Sequence, residues 1–236
     1  AARYTLTRKD ILIPEVLKFV GNFDYDPDPE AGPADELLKA SKLFPNWDKS
    51  KHEDMIAGNY YDRPFEFAEV HLESRDSEGD ITTDFKGFVV WMEIEPTEAL
   101  TIAVEAKGKL MKSLGSFFKG FKGLRQVPFD QMDFEVEYDV YSTDEAEARR
   151  LFTPNLVKMA LKLGRLRRAS SVEFGVFEDI FLLKVETKLD LFEPVDVKKS
   201  ALTTEDSRKF LEEIHDVLQI VAVVGQATGR KAEAKS

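Results

Sequence analysis

The chain has 236 residues and a formal net charge of -11, and this acidic balance argues against general nucleic-acid binding, because phosphate backbones attract basic surfaces. Without cysteine it has no disulfide, thiolate zinc site or cysteine nucleophile, which is compatible with the cytosol. No apolar run reaches the roughly 18 to 20 residues that cross a bilayer, and the N-terminus lacks the hydrophobic run of a signal peptide.

The N-terminal part of the chain predicts two helices joined by a loop. Residues 8–20 predict an amphipathic helix with Thr7 as N-cap and with Pro14 at its true start or at a kink. Residues 21–33 are rich in Pro, Gly and Asp and predict a loop. A short helix over 34–44 is expected to stop before a proline.

A β-hairpin is predicted over residues 63–95, turning at 76–80. Its first strand alternates an apolar set with a polar set: Ala68, Val70 and Leu72 against Glu69, His71 and Glu73. In the second strand one face carries Phe88, Val90, Met92 and Ile94. This alternation is typical of a sheet covered on one side. Residues 99–108 predict a third strand.

The second half of the chain begins with a predicted strand over 132–142. One face of that strand carries Phe134, Val136, Tyr138 and Val140. A helix follows, with Ser142 or Thr143 as its cap and acids in its first turn, where the helix dipole favours them. The next helix is predicted to start with Thr153 as cap and Pro154 as first residue.

A second hairpin and a long helix complete the predicted elements. The hairpin turns at Glu178–Asp179. The helix over 203–225 is expected to end at Gly225, and its apolar stripe is formed by Phe210, Ile214, Val217, Leu218, Val221 and Val224. The mixture without regular alternation predicts a single α+β domain over 8–225, a mostly antiparallel sheet with helices packed on it, and a disordered tail over 226–236.

Residues 107–126, "KGKLMKSLGSFFKGFKGLRQ", stand out within this acidic chain and are called the basic segment below. They hold six Lys or Arg residues, three Phe and no acid, so the rest of the chain carries -17 (-11 minus 6). On a helical wheel the apolar residues fall on one face and the lysines outside it, as in a helix that lies at a membrane surface. The predicted contacts to an anionic membrane are Lys109, Lys112, Phe117, Phe118, Lys119, Phe121 and Lys122.

Other interpretations of the basic segment stay open. The same stripe fits a helix packed on its own sheet, with lysines solvating the outer side. Gly115, Gly120 and Gly123 lower the helix propensity and fit a loop instead. A protein or RNA partner is a further alternative. A second basic run ends the helix from Pro154, where its dipole favours cations; its residues are Lys158, Lys162, Arg165, Arg167 and Arg168.

The chemistry-bearing residues are few. Glu69, His71 and Glu73 share one strand face and form a possible metal set of two carboxylates and one imidazole. His52 lies beside Glu53 and Asp54 in a predicted loop, and His215 borders the apolar stripe of the last helix. The chain has no serine-nucleophile elbow, phosphate-binding loop, dinucleotide-binding glycine motif or HExxH. We therefore expect no enzyme and no cofactor, with metal binding or metal-assisted catalysis as the alternative.

Several stretches occur in an order that is similar to a known family. Residues 134–163 carry a strand with Phe-Glu, then Val-Tyr-Ser, an acidic helix with Glu-Ala-Arg, and Thr-Pro. Residues 40–58, 65–74 with "FEFAEVHLES" and 85–94 with "FKGFVVWMEI" precede them, and 172–185 with "VEFGVFEDIFLLKV" follow. Over about residues 8–224 the chain resembles the bacterial domain of unknown function 3137 family.

The resemblance implies no reaction and no catalytic residues. It implies relatives that place membrane-spanning segments ahead of this domain. The motif arginine, Arg149, is expected to pair with Glu145 four residues earlier or to clamp the strand carboxylate Glu135. Together these observations predict a binding or scaffolding domain at the cytoplasmic side of the membrane, peripheral to it or anchored by a segment that is not part of this chain.

Overall fold

The computed structural model describes residues 2–29, 32–33, 35–60, 63–105, 123–129, 138–192 and 204–227, of which residues 2–10, 105 and 227 are described by backbone only. The helices among them are α1 (Ala2–Val20), α2 (Asp35–Ser41), α3 (Glu145–Leu151), α4 (Pro154–Leu166) and α5 (Thr204–Ala227). The strands are β1 (Phe23–Asp26), β2 (Lys49–Tyr60), β3 (Arg63–Arg75), β4 (Ile81–Glu93), β5 (Thr101–Glu105), β6 (Arg125–Gln126), β7 (Tyr138–Ser142), β8 (Ser171–Phe177) and β9 (Ile180–Glu186).

The strands form one sheet in the order β1-β2-β3-β4-β9-β8-β5-β7-β6. Every described pair in it is antiparallel. The N-terminal half contributes β1 to β4, and the hairpin β8–β9 joins it to the short strands β5, β7 and β6. The predicted α+β class with an antiparallel sheet is confirmed.

Apolar side chains are buried on both faces of the sheet. Helices α1, α4 and α5 cover the first face, where Phe65 and Phe67 of β3 contribute to the core. On the second face Val70 and Leu72 of the same strand join a separate core under α2. The expectation of a sheet covered on one side is therefore wrong for β3, because its alternate side chains meet two different apolar layers.

A strap formed by residues 42–48 closes the second face. It starts where α2 ends, with Lys42 in a left-handed conformation (φ 60°). Phe44 then packs edge-on against Phe85 of β4, with 5.1 Å between the ring centroids. The strap ends where the Asp48 N–H donates to the carbonyl of Glu73 in β3. Among the described residues, the second core is thus covered by the short helix α2 and this irregular strap rather than by a long helix.

Several sequence predictions are confirmed. The hairpins β3–β4 and β8–β9 turn where they were expected to turn. Thr153 caps α4, with Pro154 as its first residue and the Leu156 N–H donating to Thr153 Oγ1 at 3.3 Å. The stripe of α5 is buried at each predicted position: Phe210, Ile214, Val217, Leu218, Val221 and Val224.

Other predictions are wrong at helix ends. Helix α1 starts at Ala2, because no Gly or Pro interrupts the chain before Pro14, so Thr7 lies inside the helix and does not cap it. Asp144, not Ser142 or Thr143, caps α3, since its carboxylate accepts the N–H groups of the first turn. Helix α5 continues through Gly225 to Ala227, because one glycine costs only about 1 kcal/mol in a long helix.

Three of the described strands were not predicted. Strand β1 lies in the region expected to be a loop, β2 occupies residues for which no element was expected, and β6 lies in the basic segment. Strand β2 has few buried apolar residues, and its pairing with β3 on one side and with β1 on the other defines it.

Replacing Gly87 by alanine is expected to destabilise the domain by about 1 to 3 kcal/mol or more. A Cβ at this β4 position would lie 2.0 Å from the Val185 carbonyl oxygen of β9, so the two central strands would have to separate. Urea denaturation measures the effect. The matched control is Gly175→Ala in β8, where the added Cβ meets ordinary contacts at 3.5 Å. Equal stability of the two variants would contradict the prediction.

Candidate functional site

The predicted membrane contacts of the basic segment lie outside the described residues: Lys109, Lys112, Phe117, Phe118, Lys119, Phe121 and Lys122. The structure describes the chain on either side of these residues. Strand β5 leads into the segment, and from Gly123 the chain is described again. Leu124 packs against the second core, whereas Arg125 in β6 is exposed. The segment is therefore attached at both ends to the sheet.

The attachment points lie at opposite ends of β7. In β5, Thr101 is opposite Ser142 and Glu105 is opposite Tyr138. In β6, Arg125 is also opposite Ser142. Strands β5 and β6 thus run parallel on the two sides of β7. The two attachment points are therefore separated by roughly 14 Å along β7, at about 3.4 Å per residue.

The second basic run is only partly available for a partner. Arg167 reaches back from the end of α4 and pairs with Glu213 at 3.3 Å and Asp216 at 2.9 Å, both in α5. Lys162 lies 3.9 Å from Asp216. The other members are exposed: Lys158, Arg165 and Arg168. A helix-dipole role was expected for the whole run, but Arg167 instead connects two helices.

The side chains of the predicted metal set, Glu69, His71 and Glu73, do not converge on a common point. The Glu69 carboxylate accepts the Leu191 N–H, and the His71 Nε2 lies 3.2 Å from Thr83 Oγ1 and 3.6 Å from Glu73. Among the residues the structure describes, no group of three or more His, Asp or Glu side chains is placed to hold a metal ion. The shared strand face is thus occupied by pairwise contacts.

The His52 cluster lies in a strand, not in the predicted loop, and its three members point to different partners. His52 Nδ1 accepts the Gly32 N–H at 3.0 Å, and burial lowers the pKa of His52, although the charge of Asp35 opposes this shift. Glu53 pairs with an exposed lysine, whereas the buried Asp54 accepts a hydrogen bond from a tyrosine hydroxyl. The cluster has no common centre.

Arg149 has the local partner that was expected. Its guanidinium pairs with Glu145 at 2.8 Å, four residues earlier in α3. It also donates to the Pro128 carbonyl at 2.6 Å and lies over the Phe129 ring at 5.3 Å from the centroid. The alternative partner Glu135 lies outside the described residues. Arg149 therefore fastens α3 to the chain that leaves β6.

A cleft of about 650 Å³ opens between α4, the C-terminal half of α5 and the junction of β2 with β3. Arg63 lies in it and donates to the Gly225 carbonyl at 3.3 Å. His215, which borders the apolar stripe of α5, is exposed and lines the cleft with Gln219. No sequence signal pointed to this site, because its residues come from three distant parts of the chain.

None of the described helices is long and apolar enough to cross a membrane. The described residues define an α+β domain with a helix-covered antiparallel sheet and a cleft between α4 and α5. The chain belongs to the protein family of unknown function DUF3137, which it matches over residues 83–225. The family resemblance inferred from the sequence is thus confirmed.

The chain is also similar to a solved structure, the crystal structure of the mycobacterial trehalose monomycolate transport factor A, TtfA. The TM-score is 0.42 at 11% identity, and the match covers 90% of this chain and 93% of that chain. A likeness at this level carries no functional information. No curated protein matches the chain.

Proposed function

We propose that the domain is a non-enzymatic binding module that docks on an anionic membrane surface through the basic segment, at the cytoplasmic side. The observation that carries the proposal is the separation of charge along the chain. Six cations and three phenylalanines without an acid lie in one stretch, and the remainder carries -17. The acidic remainder is repelled by an anionic surface, so the basic segment would lead the approach.

The attachment points of the basic segment are compatible with its role as a contact surface. Residues 106–122 connect two parallel strands on either side of β7. A chain of this length reaches roughly 55 Å when extended, whereas its attachment points require roughly 14 Å along β7. The segment is thus longer than the connection requires. Phenylalanine rings inserted at the headgroup level would add apolar burial to the lysine charges.

The test is sedimentation with vesicles rich in phosphatidylglycerol, compared with pure phosphatidylcholine. Changing Lys109, Lys112, Lys119 and Lys122 to Gln is expected to weaken binding by two orders of magnitude or more at low salt, because each contributes about 1 kcal/mol near an anionic leaflet. Changing Phe117, Phe118 and Phe121 to Ser is expected to weaken it by at least about tenfold through lost apolar burial.

The matched control removes the same charge elsewhere. Changing Lys158, Lys162, Arg165 and Arg168 to Gln also takes the formal net charge from -11 to -15 (-11 minus 4) but leaves the basic segment intact. This variant is expected to sediment like the unchanged protein. Equal losses in the two charge variants, or no preference for anionic vesicles, would refute docking through the basic segment and leave a protein partner as the alternative.

A further inference from the structure

The cleft between α4 and α5 has the features of a small-molecule site. Its volume of about 650 Å³ lies within the usual range of ligand pockets, roughly 300 to 1,000 Å³. Apolar side chains of both helices line it, among them Met159 of α4 and Ala222 of α5. The same two helices also contribute polar groups, among them Asn155 and Gln219. Such a mixture fits a ligand that has an apolar body and one polar end.

The charge of the cleft indicates the chemistry of the ligand's polar end. Although 44 of the 236 residues are acidic, none of the described lining residues is acidic. Arg63 supplies a full positive charge, and no described carboxylate lies within ion-pairing distance of it; its partner is the Gly225 carbonyl. A guanidinium has five N–H donors, so most of them stay available for a planar anion such as a carboxylate.

His215 and Gln219 add polar groups from α5. Gln219 Nε2 lies 2.6 Å from His215 Nε2, so the amide and the imidazole contact each other. This contact does not use the second ring nitrogen, Nδ1, of the imidazole. Arg63 and the imidazole come from different elements that line the same cleft.

We propose that this cleft binds a small organic carboxylate, with the anion on the Arg63 guanidinium and the apolar body against the apolar lining residues, among them Met159 and Ala222. This inference does not rest on membrane docking, since no residue of the basic segment contributes to the described lining. The two proposals therefore fail independently.

Calorimetric titration of the full chain with octanoate tests the proposal, with octanamide as the uncharged probe of the same shape. Octanoate is expected to bind and octanamide to bind at least about tenfold more weakly, because a hydrogen bond to a charged group is worth more than one to a neutral group. Arg63→Gln is expected to weaken the binding of octanoate by at least about tenfold. Arg208→Gln is the control. It removes an exposed arginine of α5 that pairs with Glu205 and Glu212, and it is expected to leave the affinity for octanoate unchanged.

A second variant leaves the charge in place. Ala222→Phe fills the cleft and is expected to abolish octanoate binding while the far-ultraviolet circular dichroism stays the same. Equal binding of octanoate and octanamide, or octanoate binding that survives both Arg63→Gln and Ala222→Phe, would overturn the proposal. Failure of vesicle binding by the basic segment would not affect it.

Discussion

Replacing Lys184 by methionine is expected to destabilise the domain by about 3 to 5 kcal/mol, because the Glu173 carboxylate is then left charged and buried without its partner. The two residues are directly opposite each other in β9 and β8, and their charged groups lie 2.8 Å apart. Their exposed fractions are 5% for Lys184 and 1% for Glu173. Urea denaturation measures the loss.

The lysine also holds the strap in place. Its ammonium donates to the Leu43 carbonyl at 2.9 Å and lies 5.2 Å from the ring centroid of Phe44 and 5.5 Å from that of Phe85. The methionine variant is therefore expected to expose the second core to proteolysis at the strap. Converting both Lys184 and Glu173 to leucine is expected to recover most of the stability, since replacing a whole buried pair by apolar groups is often close to neutral.

An exposed pair provides the control. Lys51 and Glu53 lie at the same distance of 2.8 Å, but their side chains are 58% and 48% exposed. Lys51→Met is expected to change the free energy of unfolding by less than about 1 kcal/mol, because water screens the pair. If Lys184→Met proves as mild as this control, the Glu173 carboxylate is solvated or neutral in the variant and the explanation is wrong.

Replacing Arg167 by methionine is expected to destabilise the domain by about 3 kcal/mol at neutral pH, because it removes the guanidinium from a largely buried pair of carboxylates. Glu213 is 3% exposed, and it also accepts the Phe192 N–H at 2.8 Å. Asp216 is the second partner of the guanidinium. The loss would loosen the contact between α4 and α5.

The pH dependence identifies which charge is responsible. Burial raises the pKa of Glu213 above its ordinary value, although Lys209, the Phe192 N–H and Arg167 oppose the shift. The folded state therefore binds a proton more tightly than the unfolded state, and the stability falls as pH rises from about 4.3 toward the higher folded pKa. Without Arg167 the shift is larger, so the loss of stability in Arg167→Met should be larger in total and extend to higher pH. Glu213→Gln should remove this part of the slope.

Arg208→Met is the control for this series. Arg208 pairs with Glu205 and Glu212 on the exposed side of α5, and its side chain is 63% exposed. We expect this variant to unfold like the unchanged protein at each pH. A pH profile of Arg167→Met that runs parallel to that of Arg208→Met would show that the buried carboxylates do not carry the effect.

Apolar periodicity explains which parts of the fold were predictable. The stripe of α5 repeats with helical periodicity, and β8 and β9 are short apolar runs joined by the turn signal Glu178–Asp179, so the two patterns favour a helix and a hairpin. The Thr153–Pro154 start of α4 is a local signal of the same kind. Strand β2 was not predicted because Lys49, Lys51, His52 and Glu53 give it no apolar alternation, and only its neighbours β1 and β3 hold it extended.

The two candidate sites also differ in how far the sequence could predict them. The basic segment is a contiguous run of the chain, so composition alone identifies it. Its role as a membrane contact stays a prediction. The cleft could not be found in this way, because Arg63, Met159 and His215 are about 50 to 150 positions apart and carry no shared motif.

The sequence by itself therefore determined the α+β class, the family and the separation of charge, since these depend on local pattern and composition. Only the tertiary structure decided which charges are buried and paired. Lys184 and Arg167 look like other cations in the sequence, yet each has a buried carboxylate as its partner. Ion pairing and desolvation depend on distances between distant segments, and the packing of the sheet and helices sets those distances.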